Sequence, residues 1–236
     1  NPVNKEKAKN VKKESNGKFL NVTDEEIIKA YKFLGKEELA SLRIYDDGIP
    51  LPGLVIVGSY VPLADKQLLY LLSSSQCSGI EIKLEELLVA IQDAEQEKIL
   101  KNLEMQYFQK LTYIFSLGQT PVLYTSRGEV IFSSAIDGLR FGNIISSLLS
   151  NLVSSLAPKI GYMISKGGNT TQAILSKGLR LTAVQLEGQI LPGLSIVRPL
   201  AHDIGPHIPI VTFPGNLGVD STLKDAWRIL ETSRTS

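Results

Sequence analysis

The stretch IGYMISKGGNTTQAILSKG, Ile160 to Gly178, decides how this chain is read. Ile160 to Ser165 is a short apolar run that predicts a buried strand. Gly167 and Gly168 make a tight turn, and Thr170 to Lys177 predicts a helix. Gly178 stands where helices stop, and the expectation there is the left-handed conformation that glycine adopts cheaply. A strand, a glycine pair and a helix start leave several backbone N–H groups pointing one way, at the positive end of the helix dipole. That arrangement suits an anion, most often a phosphate. Asn169, Thr170 and Thr171 are polar residues expected at or near the N-cap. Taken alone, the motif also fits an ordinary capped turn between strand and helix.

Working outward, the composition sets limits. The chain has 236 residues, 43% hydrophobic and 21% charged, enough for a sizeable core in one large domain or two small ones. A formal net charge of +1 gives no bulk argument for nucleic acid or an anionic membrane. One cysteine, Cys77, excludes an internal disulfide, and with only two histidines a Cys/His zinc site is disfavoured. No apolar run is long enough to span a membrane, no signal peptide is read, and a cytoplasmic location is expected. The first residue is Asn1 rather than Met, as a piece of something longer would show.

Residues 1–17 are polar and lysine-rich and read as a linker or tail; residues 18–236 are expected to form the domain. Thr23 and Glu26 make a capping-box pattern, and Ile27, Ile28, Tyr31 and Leu34 predict a helix that Gly35 stops. A short helix is expected over Lys36 to Leu42. Asp46 to Gly53 is dense in turn formers, so Asp46 and Asp47 read as a turn before a carboxylate pair. Leu54 to Val57 is a continuous apolar run, as in a strand buried on both faces. Gly58 and Ser59 end it, and a helix follows from about Asp65 to Ser73. Ile80 to Leu84 is a further strand. Leu84 to Leu117 is helical with a break near Gln92 to Gln96, Pro121 to Ser126 is a strand, and a long helix covers about Phe141 to Leu156. After Gly178, alternation predicts two strands or more with a turn at Pro192-Gly193. Ile208 to Phe213 is a strand, Pro214 to Gly218 a turn, and a last helix capped by Asp220 or Ser221 carries Leu223, Trp227 and Leu230.

Strands alternating with helices predict an α/β fold: a mostly parallel sheet flanked by helices in three layers. Ligands of such sheets sit beyond the carboxyl ends of the strands. The glycine-rich loops at Gly58-Ser59, Gly167-Gly168 and Gly215 all follow strands, so parallel strands would gather them on one edge. Among single residues, Lys166 reads as a phosphate contact or a solvated lysine, Asn216 as a turn former, Cys77 as a structural thiol and Trp227 as core. His202 and His207 carry little signal.

Four motifs in order resemble the four-carbon acid sugar kinase family, in particular its C-terminal nucleotide-binding domain. They are LVIVGSYVP (Leu54 to Pro62), GGNT (Gly167 to Thr170), LPG (Leu191 to Gly193) and FPGNLG (Phe213 to Gly218). The resemblance covers Leu54 to Trp227. It implies an ATP-dependent kinase acting on a tetronate or 3-oxo-tetronate type of sugar acid. It also implies ATP contacts at Ser59, Gly167, Gly168, Asn169, Thr170 and Gly215, with Mg2+ carried by the nucleotide. Two positions depart from the family pattern: Asn169 stands for a glutamate, and Phe213-Pro214 for lysine and serine. The family places a substrate domain before this one, and the leader before Leu54 is too short to hold it. The implied partners are therefore nucleotide, a small sugar acid and a preceding domain, with a homodimer left open and neither nucleic acid nor membrane. Half of a kinase is not expected to turn over by itself. Two other functions compete: a non-catalytic ligand-binding module derived from the same fold, and a dinucleotide-dependent oxidoreductase. GGNTT is not the G-x-G-x-x-G of the latter.

Overall fold

The computed structural model describes residues 32–232 except 92, 128, 129, 131 and 133. Most of the expected helix from Thr23 therefore lies outside the described residues. Its last part is corrected: residues 32–34 are extended, with Leu34 N–H donating to the carbonyl of Gln189 and Gln189 N–H to that of Lys32. Gly35 does not stop a helix but starts one. It is the N-cap of α1 (Lys36–Leu42), and its N–H donates to the Glu38 carboxylate. Next, β1 (Tyr45–Asp46) and β2 (Ile49–Pro50) form a tight hairpin, with Asp47 and Gly48 at φ 47° and 78°. These are the two left-handed positions a two-residue hairpin loop requires. Asp46 and Asp47 thus serve a turn.

The main sheet begins with β3 (Gly53–Val57), every residue of which is buried. A run of large apolar side chains with no polar alternation has no face to offer water, so it becomes a central strand. Pro62 then starts α2 (Pro62–Leu72), at the helix position where its missing N–H costs nothing. There follow β4 (Cys77–Ile82), α3 (Leu84–Ala90), α4 (Gln96–Ser116) and β5 (Thr120–Thr125). Next comes α5 (Ala135–Leu156), which starts earlier than its periodicity suggests. The Ser134 hydroxyl caps it by accepting from Asp137 N–H at 3.1 Å. β6 (Tyr162–Lys166) leads into α6 (Gly168–Ala173), which continues as a π turn over Ile174–Gly178. The chain closes with β7 (Val184–Leu191), β8 (Leu194–Pro199), β9 (Ile210–Phe213) and α7 (Thr222–Thr232).

The seven strands lie in the order β4-β5-β3-β6-β9-β8-β7. The first five are parallel; β8 pairs antiparallel with both β9 and β7. The fold is therefore the three-layer α/β arrangement that the sequence predicts, with a hairpin appended to one side of the parallel sheet. One core joins α4, α5 and α6 to one face through Leu111, Leu152 and Ile174. The other joins α1, α2 and α7 to the opposite face through Leu39, Leu71 and Trp227. Trp227 is core, as its helical spacing suggests, and its indole N–H donates to Thr120 Oγ1 at 3.1 Å. A polar knot closes this second layer. Buried Arg43 donates to the carbonyls of Leu230 and Leu51, and the Tyr162 hydroxyl donates to Glu231.

Gly178 is a correction in mechanism. It is absent from the left-handed glycines, and a Cβ there would stand 2.9 Å from the Ser150 carbonyl oxygen. Its small size lets the π turn lie against α5; no reversal of the backbone is involved.

Candidate functional site

From β3 the chain goes to the edge strand β4, returns to β5 beside β3, and then crosses to place β6 on the other side of β3. The sheet therefore switches direction between β3 and β6, where a crevice opens at the carboxyl edge. Register makes the strands end together: Val57 pairs with Lys166, and Lys166 with Phe213. At about 4.8 Å between neighbouring strands, the turns after β3, β6 and β9 start within roughly 10 Å of one another.

They touch. Gly58 N–H donates to the Lys166 carbonyl at 3.1 Å, and Gly167 N–H to that of Phe213 at 2.8 Å. A Cβ on Gly58 would stand 2.0 Å from Thr170 Oγ1, and one on Gly215 would stand 2.5 Å from Ser59 Oγ. Gly167 has φ 118°, a conformation closed to other residues at little strain, and it is the N-cap of α6. These glycines are needed because three backbones meet. Gly168 differs: it is exposed, and a Cβ there would find nothing within 4 Å.

The expected side-chain cap of α6 is not formed. Thr171 turns inward instead, its hydroxyl 2.8 Å from Ser165 Oγ and donating to the Ser165 carbonyl. The first N–H groups of a helix have no intrahelical acceptor, so those opening α6 stay available to a ligand.

A cavity of about 700 Å³ runs from these turns between α6 and the β7–β8 hairpin. Leu175, Leu181, Val184 and Phe213 give it apolar walls, and Gly168, Gly193 and Gly215 lie along it. Of the sequence-predicted residues, Gly168 and Gly215 line the cavity. Ser59, Gly167 and Thr170 build the junction beside it, and Asn169 is exposed on the first turn of α6. A separate groove of about 600 Å³ between α4 and α5 involves none of the glycine turns.

Two residues outside the predicted site hold the loop after β9. Gln67, fully buried on α2, donates from Nε2 to the carbonyls of Leu217 (3.0 Å) and Val219 (2.8 Å). Lys166 is neither solvated nor exposed; its ammonium donates to Pro214 and Gly215 carbonyls at 3.1 and 3.0 Å. Burial pushes its pKa down to about 8. On the Ser59 side, Arg127 donates to the Ser59 carbonyl at 2.6 Å and pairs with Asp65 at 3.0 Å. Nothing in the local sequence around Gln67 or Arg127 signals these contacts; both depend on residues far along the chain.

A family model described as a nucleotide-binding C-terminal domain matches residues 54–223. This chain belongs to that family. The match spans the four motifs that carry the resemblance to the nucleotide-binding domain of four-carbon acid sugar kinases, and so takes in the turns after β3, β6 and β9. No curated protein sequence matches the chain.

Solved structures share its fold. One is a Salmonella typhimurium LT2 protein described provisionally as a tRNA synthase. It is 17% identical at a TM-score of 0.58, over 80% of this chain and 42% of that one. Another is a domain of unknown function from Bordetella bronchiseptica, a domain-swapped dimer with bound citrate. It is 17% identical at a TM-score of 0.56, over 76% of this chain and 41% of that one. A second crystal form of that protein gives 16% and 0.53, over 81% and 41%. The chain thus spans about two fifths of the length of the structures it resembles. Among the described residues no helix is long and apolar enough to cross a membrane.

Proposed function

We propose that this nucleotide-binding domain, from about residue 18 onward, is the ATP-binding half of a kinase that phosphorylates a four-carbon sugar acid. The observation that carries the reading is the meeting of the turns after β3, β6 and β9 at one rim, beside a cavity with apolar walls. The residues fit such a ligand. The apolar walls suit a base, and the open position at Gly168 lets a phosphate reach the main chain, where a side chain would stand in its way. The same rim would hold ADP.

ATP, with Mg2+ carried on its phosphates, would supply the phosphoryl group; the chain's own residues would bind and orient it. Gly168, Asn169 and Thr170 would offer main-chain N–H groups from the start of α6. Gly215 would offer its own from the loop after β9. Gly167, with Ser59 behind it, would keep the two turns in contact. Phosphoryl transfer is mostly positioning and charge neutralisation, so fixing these turns in advance is the domain's contribution. The family's lysine position is filled by Phe213, but its ring lies beneath the Lys166 ammonium at 3.9 Å, so a cation remains at the loop. The acceptor and the residues that deprotonate it would come from a preceding domain, and a homodimer is compatible with this arrangement. The reading places the protein in the cytoplasm, where ATP is abundant.

Calorimetric titration tests the nucleotide reading: Mg-ATP and ADP bind, and NAD does not. Binding of NAD alone, or of no nucleotide, would overturn it. A turnover assay of the full reading frame with ATP and a panel of tetronates tests the substrate class. Asn169 in place of glutamate favours the second reading, a non-catalytic nucleotide-binding module. ATP binding with no consumption of any four-carbon acid would select it.

A further inference from the structure

Lys166 is 0% exposed, yet among the described residues it has no ion-pair partner. An ammonium taken from water with no counter-charge is expensive, and it persists where something else depends on it. Its partners say what that is. Nζ donates to the carbonyl oxygens of Pro214 and Gly215 and caps the face of Phe213. In a planar trans peptide the C=O and the following N–H point in opposite directions. Drawing two successive carbonyls inward to Lys166 therefore turns the N–H groups of Gly215 and Asn216 outward. Neither has an acceptor among the described residues, and Gly215 borders the cavity. Successive outward amides form a concave anion site, and a buried cation behind them adds to its field.

We infer that Lys166 is the positioning residue of this anion site: it orients the peptides of the loop after β9 toward the ligand and supplies the fixed positive charge behind them. The inference rests on the nucleotide reading and names the part of the site that would meet the phosphates.

The charge makes a distinctive signature. The other charged groups on this loop and the elements packed around it are Asp65 and Arg127 (paired with each other), Lys66 on α2, Asp220 in the loop, and on α7 Lys224 (bonded to Ser73), Asp225 (accepting from Ser221), Arg228 and Glu231 (paired with Arg43). None of them contributes to the Lys166 shift, whose cause is burial alone. Burial holds the pKa of the free protein's ammonium down to about 8. A bound polyphosphate favours the charged form and raises that value. Binding at about pH 8 to about pH 9 should therefore take up protons, and affinity should fall as pH rises through that window. The phosphates, with a second pKa of about 6, are already ionised there.

The test is calorimetry of Mg-ATP binding in buffers of different ionisation heat, from about pH 7 to about pH 9.5. The wild-type protein should take up a fraction of a proton per nucleotide near pH 8.5 and almost none near pH 7. Lys166→Met should bind about 10- to 100-fold more weakly, with no proton uptake, and Lys166→Arg should keep part of the affinity with a flat pH profile. Nucleotide binding without proton uptake in the wild type would overturn the inference and leave the nucleotide reading standing. No binding by the wild type would overturn both. Should Lys166→Met fail to fold, the wild-type proton measurement still decides.

Discussion

Gly168→Val separates a ligand cradle from an ordinary turn. Gly168 is the first residue of α6, is exposed, and has nothing within 4 Å of the point where a Cβ would stand. Valine there replaces glycine, the costliest residue in a helix bar proline, by one about 0.3 kcal/mol better, so the fold should be unaffected. The branched side chain would instead project where the ligand approaches the main chain. A hydrogen bond from an amide to a charged group contributes about 1.5 to 3 kcal/mol. Losing one such contact at about 2 kcal/mol weakens binding about 30-fold, and losing two about 1000-fold. Mg-ATP titration measures the affinity, and a thermal melt confirms the fold. A folded Gly168→Val protein with wild-type affinity would refute the reasoning, because the phosphates would then not approach the start of α6. Gly167 cannot serve for this experiment: its φ of 118° and the Ser59 amide 3.2 Å from its Cβ position make any substitution disrupt the turn itself.

Gly58→Ala should destabilise the domain by about 1 to 3 kcal/mol, read by denaturant titration, because the new methyl meets Thr170 Oγ1; a Gly58→Ala/Thr170→Ala double variant should recover part of that loss. Gln67→Leu leaves the Leu217 and Val219 carbonyls without their donor, so the melting temperature should drop and nucleotide affinity should fall with it; unchanged values of both would show that the loop holds itself. Cys77 is buried and its thiol is pushed up to about 12, first by burial and then by the Glu231 charge. It should resist thiol reagents at about pH 8 until the protein unfolds. Its raised value is an acid kept neutral, so its linkage is neutral below the unfolded pKa and removes stability as pH rises from about 9 toward 12, which urea titrations across that range would detect.

The parts of the fold legible in the sequence are those fixed by local chemistry. Leu54 to Val57 can only be a central strand, and the break near Gln92 to Gln96 does separate α3 from α4. The start of α5 is hidden because Ile136 and Leu139 on its first turns are 75% and 71% exposed, so the apolar stripe begins only at Phe141. Leu34 fits helical spacing in sequence, but residues 32–34 find an extended partner in β7, which no local pattern encodes. At the site, the glycines are visible as glycines. That they meet depends on strand order, on the shared level of Val57, Lys166 and Phe213, and on contacts such as Gln67 to Leu217, 150 residues apart in sequence. Lys166 is ambiguous in sequence because a lysine beside two glycines looks the same whether its stem points to water or beneath a loop.

The short pairing of Phe33 with Gln189 shields part of a strand edge. β7 is the last strand on its side of the main sheet, and residues 32–34 pair with both backbone groups of Gln189 on its outer edge. Gly188 permits this: at φ 153°, its missing Cβ leaves the space where the Lys32 carbonyl lies, 2.7 Å from where the methyl would stand. A side chain at Gly188 would push that cover away and bare a strand edge to intermolecular pairing, the starting point of aggregation. One absent methyl group thus keeps this part of the sheet edge covered.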